Sequence, residues 1–445
     1  MRQKATSIAH NSWYTFLTLT SVVALRFLIT VFIVRTLGPV GQGTYYLLVT
    51  FNALALQITS LGVGTANNVF LSKRQYTLSE MHTACLILVG ALGLSAAGIF
   101  YVLSPIIHAT LLKDIELIYG WFVVVMLPLG LYGLFWQGMM MGLEKISQLN
   151  KVELGSVILQ FSLLVLVLKL GYGLLGALLA WGVGLLVVAI AGWRIVIQEE
   201  PFIWRFNAGL LRHAVQFGLA SQWGEVARIL TVRSDVFLLN LLLGREVVGY
   251  YSVALSLAEK LWIAYTSMYR SAIHKLQALP QEEAAQLLTR ITRGMSFLVL
   301  VSAFVLGLIS PWLLPFLYGP QYTISVVPFI ILLIGLIPFG VWIGIKIYIT
   351  GQLYRPNLTS TIQWGAFLVS IIIYYSLIRL YGLVGAALGS TVSYFILCFA
   401  GILVLSRLAP IHFIEFFIIR KDELFDYCRL GLRRVSQFTG AVHKV

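Results

Sequence analysis

Apolar runs of roughly 20 residues, each closed by charged or turn-forming residues, recur along the whole chain. A helix needs about 20 such residues to cross about 30 Å of hydrocarbon, so each run predicts a membrane span. The runs fall at 11–34, 43–63, 83–105, 117–141, 152–169, 173–197, 214–243, 247–270, 294–318, 325–349, 358–378 and 383–406. The fifth and sixth almost touch, and the seventh carries charges within it. Nothing in the pattern alternates with the period of two that strands require.

The pattern also repeats. Residues 172–180 read YGLLGALLA and residues 381–389 read YGLVGAALG, identical at six of nine positions. Pro128 and Gly130 in the fourth run match Pro338 and Gly340 in the tenth, and Gly142 matches Gly351. LGPVGQGTYY, from Leu37 to Tyr46, matches LGREVVGYY, from Leu243 to Tyr251, with one gap. These offsets all lie near 205–210 residues, and both members of each pair fall at the same point of the topology. A tandem repeat with an even number of spans gives two copies of like orientation, related by an axis along the membrane normal. The predicted fold is an all-α integral membrane protein of about twelve transmembrane helices, in two pseudo-symmetric six-helix lobes around a central cavity. The lobes are 1–200 and 201–407, with a tail at 408–445. The small residues let helices approach closely. Pro128, Gly130, Pro338 and Gly340 are expected as kinks or hinges, because proline removes a backbone donor within a helix.

Composition agrees with a lipid solvent. Of 445 residues 59% are hydrophobic and 11% charged, against roughly 25% charged in soluble domains; mean hydropathy is +0.90. The net charge of +14 suggests nucleic-acid binding until the cations are placed on the topology. With the N-terminus in the cytoplasm, roughly twenty-one Lys and Arg fall on the cytoplasmic side and about five outside. Topology therefore explains the charge, and no nucleic-acid partner is expected. Both termini are predicted to be cytoplasmic, in a prokaryotic cytoplasmic membrane. The first run is too long for a signal peptide and lacks an A-x-A cleavage pattern. Cys85, Cys398 and Cys428 lack metal-ligand spacing, so no metal or cofactor is expected. The tail mixes Phe, Ile and Leu with Arg420, Lys421, Arg429, Arg433 and Arg434, the pattern of a basic amphipathic helix on an anionic lipid surface. QEEAAQLLTRITRG, from Gln281, is expected as a short surface helix.

Charge within the bilayer is expensive and marks function by default. The candidates are Arg26 in the first span, Glu225, Arg228, Arg233 and Asp235 in the seventh, and Glu259 and Lys260 in the eighth. Lys346 lies near the end of the tenth and is expected to snorkel. Asn11, Thr15, Thr18 and Arg26 share a helical face about 80° wide, as do Glu225, Arg228 and Asp235. Each half thus carries a polar stripe on its first helix, suited to lining a wet central cavity. Glu225 and Arg228 are spaced to pair. Arg26 has no acid in its own or the next span, so a substrate anion, such as phosphate on its planar fork, is its expected partner. Arg228, Arg233 and Lys260 are further candidates for a pyrophosphate, and Thr15 and Thr18 for sugar. Glu225, Asp235 and Glu259 are candidates for ion coupling or for internal pairing.

RTLGPVGQGTYYLL (35–48), SLGVGTANNVF (60–70), SDVFLLNLLLGREVVGYYSVA (234–254) and LLPFLYGPQY (313–322) occur in that order. Together they resemble the signature passages of prokaryotic polysaccharide-biosynthesis flippases, of the multidrug/oligosaccharidyl-lipid/polysaccharide exporter superfamily. The first passage matches their R-x-LG-P-x-x-x-G-x-Y at Arg35, Gly38, Pro39, Gly43 and Tyr45, and Asp235 falls on the acid of the third. The resemblance implies two lobes flanking a cavity and a polyprenyl-pyrophosphate-linked oligosaccharide, moved between leaflets by alternating access. It implies lipid-linked glycan and membrane lipids as partners, with polysaccharide polymerase and glycosyltransferases as further ones. Arg35 is expected to contact substrate, to cap a helix or to meet a headgroup.

The chain has no G-x-x-x-x-G-K-[ST] loop, which argues against ATP hydrolysis. A multidrug exporter of the same superfamily is the first alternative, but its cavity should be acidic or apolar, and here the deep cations outnumber the deep acids. A peptidoglycan-precursor flippase is the second, and its resembling members carry two more helices. A membrane-embedded glycosyltransferase would need catalytic carboxylates and long outer loops, which are not found.

Overall fold

A computed structural model describes residues 2–408 and residue 416, with side chains from residue 18 onward except at positions 270 and 274. The Thr15 side chain and nearly all of the predicted tail lie outside the described residues. The elements are α1 (Arg2–Thr59), α2 (Val63–Ser72), α3 (Leu78–Ala109), α4 (Leu117–Gly142), α5 (Ile146–Lys169), α6 (Gly173–Glu199), α7 (Ala208–Leu243), α8 (Arg245–Ala258), α9 (Trp262–Ala278), α10 (Gln281–Tyr318), α11 (Val326–Gly351) and α12 (Pro356–Leu408). A 3-10 turn, Glu259–Leu261, joins α8 to α9, and another, Pro320–Ser325, precedes α11. The described residues contain no strand.

Among the described residues, eight segments are long and apolar enough to cross a membrane. Two of them, in α1 and α12, break helical geometry at Gly38 and Gly382. Around Gly382 the chain doubles back, bringing Gly385 against the Leu377 carbonyl and Gly389 against the Tyr374 ring. Each of these two therefore makes two passes. With α7 and the α8–α9 pair, both diluted by charge, the count of passes reaches the predicted twelve.

The repeat in the sequence is a repeat of backbone geometry. Gly173 and Gly382, one in each YGL-x-GA copy, adopt φ +51° and +59°. A left-handed residue is needed to reverse the chain between adjacent spans, and glycine alone adopts it freely. Gly38 (φ 65°, ψ −173°) and Gly244 (φ 87°, ψ 170°) share a second conformation at the end of the first span of each half. Gly130 and Gly340 are each filled by a side chain from the preceding half-equivalent span, Leu56 and Tyr265 respectively. α4 and α11 run through Pro128 and Pro338 as single helices.

Between the halves, residues 201–207 are non-helical and are held against the start of α3. Glu80 closes a capping box with Thr77 and accepts a hydrogen bond from Asn207 Nδ2 at 3.2 Å. Asn207 in turn caps α7 through the Leu210 amide at 3.0 Å. His82 sits among the rings of Tyr132, Trp193 and Phe202, so the connection is anchored by packing as well.

Large apolar side chains such as Leu94, Val125, Phe304, Leu308 and Ile372 stand exposed on the flanks, where only hydrocarbon can cover them. Two expectations change. The segment from Gln281 is no separate surface helix; it is the first part of α10, with Ala284, Ala285 and Leu288 buried. The eighth span is not one helix, because the 3-10 turn at Glu259 interrupts it.

Candidate functional site

A cavity of about 630 Å³ opens in the first half, walled by residues of α1, α4, α5 and α6 between Leu19 and Val188. Arg26 and Glu153 are the charged residues in its wall. Arg26 donates from Nη2 to Glu153 Oε1 at 2.9 Å, with 57% and 40% of the two side chains exposed. This corrects the expectation that Arg26 lacks an acid. Glu153 lies near the start of α5, which packs against α1. Sequence neighbours alone did not reveal the meeting. Gln137 and Gln160, half-buried, and Asn150 and Gln42, buried, add amides to the wall. Trp136 and Trp181 add aromatic surface. Thr18 is buried in α1 and does not line the cavity. Neither do Arg228, Arg233 and Lys260.

The charges of α7 find partners within the second half. Glu225 accepts from Arg228 Nε at 2.6 Å, as its three-residue spacing predicted. It also binds Lys346 of α11. Lys346 is therefore an ion-pair partner rather than a free snorkelling cation: α11 packs beside α7 and puts the ammonium beside a carboxylate. Arg233 makes a two-pronged pair with Glu259, at 2.6 and 3.0 Å. Asp235 is fully buried and accepts from Tyr251 Oη at 2.6 Å, Ser390 Oγ at 2.8 Å and the Val236 amide at 2.7 Å. Among the described residues Lys260 makes no ion pair; it stands within electrostatic range of Arg26.

The family motif residues lie where the halves meet. α1 beyond Gly38 crosses α8 so closely that a Cβ on Gly43 would come within 1.8 Å of the Arg245 carbonyl oxygen. A Cβ on Gly249 would come within 1.9 Å of the Pro39 carbonyl oxygen. Beside this crossing, Gln42 Nε2 donates to Ser252 Oγ at 3.1 Å. Arg35 caps the C-terminal carbonyls of α10, at Leu317 (2.7 Å) and at Phe316, which fulfils the capping alternative. In the second half Asn240 and Arg245 reach the 111–114 loop in the same manner, Asn240 through Leu111 O at 3.3 Å and Arg245 through Asp114 O at 2.9 Å. Toward the other membrane face, the halves meet again at Gly62 and Gly218, where each glycine faces the other's backbone. Gln222 Nε2 bonds the Gln57 carbonyl there at 2.6 Å.

Two repeated bundles of apolar spans, a cavity in the first half and close glycine contacts between the halves describe a multi-pass membrane protein. Solved structures of similar fold include Lipid II flippase MurJ in an inward closed conformation (TM-score 0.68, 12% identity, covering 88% of this chain and 87% of that one). An inward-facing multidrug resistance MATE family transporter of the MOP superfamily is similar as well (TM-score 0.65, 14% identity, 88% and 97%). So is a MOP superfamily transporter from Pyrococcus furiosus, described as having a binding pocket of reverse polarity (TM-score 0.61, 14% identity, 89% and 94%). No curated protein sequence matches the chain. The sequence model of the polysaccharide biosynthesis protein family matches residues 8–274, more than half of the chain, and the chain belongs to that family.

Proposed function

We propose that the chain is a flippase that moves polyprenyl-pyrophosphate-linked oligosaccharide units from the cytoplasmic to the outer leaflet of a prokaryotic cytoplasmic membrane. Both termini lie in the cytoplasm, and residues 1–200 and 201–407 form the two moving lobes. The observation that carries the reading is a cavity whose wall sets Arg26, Glu153 and four amide side chains among apolar residues, in a chain of a polysaccharide biosynthesis family. A lipid-linked glycan has three parts that need different surroundings. The polyprenyl chain stays in hydrocarbon. The sugar needs a wet, hydrogen-bonding chamber. The pyrophosphate needs cations, because charge in the bilayer is penalised.

Arg26 and Lys260 are the cations that suit that last requirement. Arg26 is more than half exposed and can exchange Glu153 for a phosphate oxygen. Arg228 and Arg233 contribute less, since each already has a carboxylate. Asp235 and Glu259 act in internal pairing, and Glu225 ties α7 to α11. Pro128, Gly130, Pro338 and Gly340 serve helix packing around which the lobes rock. Enzymes that build and polymerise the glycan act before and after the transfer.

The test is reconstitution of the purified chain into vesicles with a fluorescent undecaprenyl-pyrophosphate-linked oligosaccharide, scoring its appearance in the opposite leaflet. Transfer above the protein-free rate is expected, and loss of that transfer in Arg26→Ala with unchanged protein yield. Transfer indistinguishable from empty vesicles would overturn the proposal.

A further inference from the structure

The segment that joins α6 to α7 turns large apolar side chains outward. Ile203, Trp204 and Phe206 are 51%, 61% and 63% exposed, and Phe202 beside them is 36% exposed. The backbone is not free to fold back and bury them. Ser79 Oγ donates to the Pro201 carbonyl and the Arg205 amide donates to Thr83 Oγ1, both at 3.2 Å. Asn207 is engaged with Glu80 and with the first turn of α7. A contiguous apolar patch of this kind marks a surface that something else covers.

Ring contacts fix where the segment lies. Leu186, Ile190 and Trp193 share one face of α6 and are exposed, which makes that face the lipid flank of a spanning helix. Trp193 stands about 9 Å along the axis from the end of that helix. The Phe202 ring is 5.7 Å from the Trp193 ring, and the Trp204 ring is 6.2 Å from the Phe202 ring. An aromatic row therefore leaves the end of a span and reaches the connector in two ring-to-ring steps. Aromatic rings at the end of a span occupy the boundary between acyl chains and headgroups.

The charges beside the row favour an anionic surface. Its acids are spent within the protein: Glu199 is bound to Lys145, and Glu200 accepts from the Leu78 amide at 3.1 Å. Glu80, within electrostatic reach of Arg205, is already tied to Thr77 and Asn207. Arg194, Arg205 and Arg212 are exposed, and among the described residues none of them makes an ion pair.

We propose that residues 201–207 are a lipid-binding strap on the connection between the halves. Phe202, Ile203, Trp204 and Phe206 enter the boundary layer of the leaflet where α6 ends and α7 begins, the cytoplasmic one in the orientation proposed above. Arg194, Arg205 and Arg212 hold the phosphates of anionic phospholipids there, where a planar guanidinium can bind two oxygens at once. The strap is independent of the cargo and holds whatever the chain transports.

Quenching of a single fluorescent label tests it. Cys85 and Cys398 are buried, so Trp204→Cys in a Cys428→Ser background takes one bimane group. Ile203→Cys serves instead if the melting temperature shows that loss of Trp204 disturbs the fold. The labelled full-length chain in nanodiscs is exposed to doxyl lipids, quenching near the headgroup or deep in the acyl chain, and to aqueous iodide. The shallow doxyl should quench most and iodide weakly. At equal mole fraction, shallow doxyl on phosphatidylglycerol should be preferred over the same group on phosphatidylcholine, by about fivefold for each arginine that meets a headgroup. Glutamine at all three arginines should bring that preference to one. Full quenching by iodide without quenching by doxyl would put the segment in water, and quenching by neither would put it under protein; each overturns the strap. So does a preference of one in the chain that keeps its arginines, or a preference that survives their replacement.

Discussion

Gly43 and Gly249 occupy equivalent places in the two halves and press against each other's helices. Each lacks a side chain where the other helix's carbonyl oxygen, from Arg245 or Pro39, passes within 2 Å of the missing Cβ position. Helices that meet this closely need small residues on both sides. Replacing Gly43 or Gly249 by alanine must push α1 and α8 apart. Overpacking of this kind costs about 1–3 kcal/mol in the state that holds the contact. Spin labels on the two helices should read a longer mean distance in either variant, together with a lower melting temperature. Unchanged distances would show that the contact is not tight in the membrane.

Arg26 and Glu153 give a prediction by charge exchange. Arg26→Ala should abolish glycan transfer, whereas Glu153→Gln should keep it, because removing the carboxylate frees the guanidinium for phosphate. Initial rates in vesicles measure both. Equal loss in the two variants would mean that the ion pair itself, and not the arginine, is what transport requires.

Arg233 and Glu259 form an enclosed ion pair, at 22% and 17% side-chain exposure. Removing one partner leaves the other without compensation, so Glu259→Gln should destabilise the fold by about 2–4 kcal/mol. Substituting both, as Arg233→Met with Glu259→Gln, should recover part of the loss. A thermal unfolding series in detergent reads the coupling, and simple additivity would refute it.

Asp235 gathers Tyr251 and Ser390 from two other helices. Tyr251→Phe removes one donor and should cost about 1.5–3 kcal/mol, the range for hydrogen bonds to charged groups. In an Asp235→Asn background the same change should cost less than half as much. Equal costs in both backgrounds would show the two side chains to be uncoupled.

Gly173 and Gly382 stand at left-handed φ in the reversal between neighbouring spans. Alanine at either position strains the turn by about 1 kcal/mol. Melting temperatures of Gly173→Ala and Gly382→Ala should fall by similar amounts, and a fall at one site only would contradict the equivalence of the turns.

The frame of the fold was legible because lipid imposes it: spans must be about 20 apolar residues long, and glycines at obligatory turns recur in both halves. The Glu225–Arg228 pair was legible too, since three residues along a helix is a fixed geometry. Arg26 with Glu153, Arg233 with Glu259, and Lys346 with Glu225 were not. Each joins residues more than 20 positions apart, and helical phase gives a side chain's direction without saying which helix stands there. The amides at Gln42, Asn150 and Gln160 passed unnoticed for a different reason: single uncharged residues in apolar runs carry no periodic signal.

The crossing at Gly43 and Gly249 has a further consequence. A surface that meets its own duplicate about a twofold axis is self-complementary, as in a symmetric homodimer. Each half of the chain therefore carries, in its own sequence, the recognition patch needed to find the other. Fragments severed within residues 201–207 and co-expressed keep both sides of that handshake. An ancestor of half the length would have had every contact required to pair with itself before fusion made the partnership permanent.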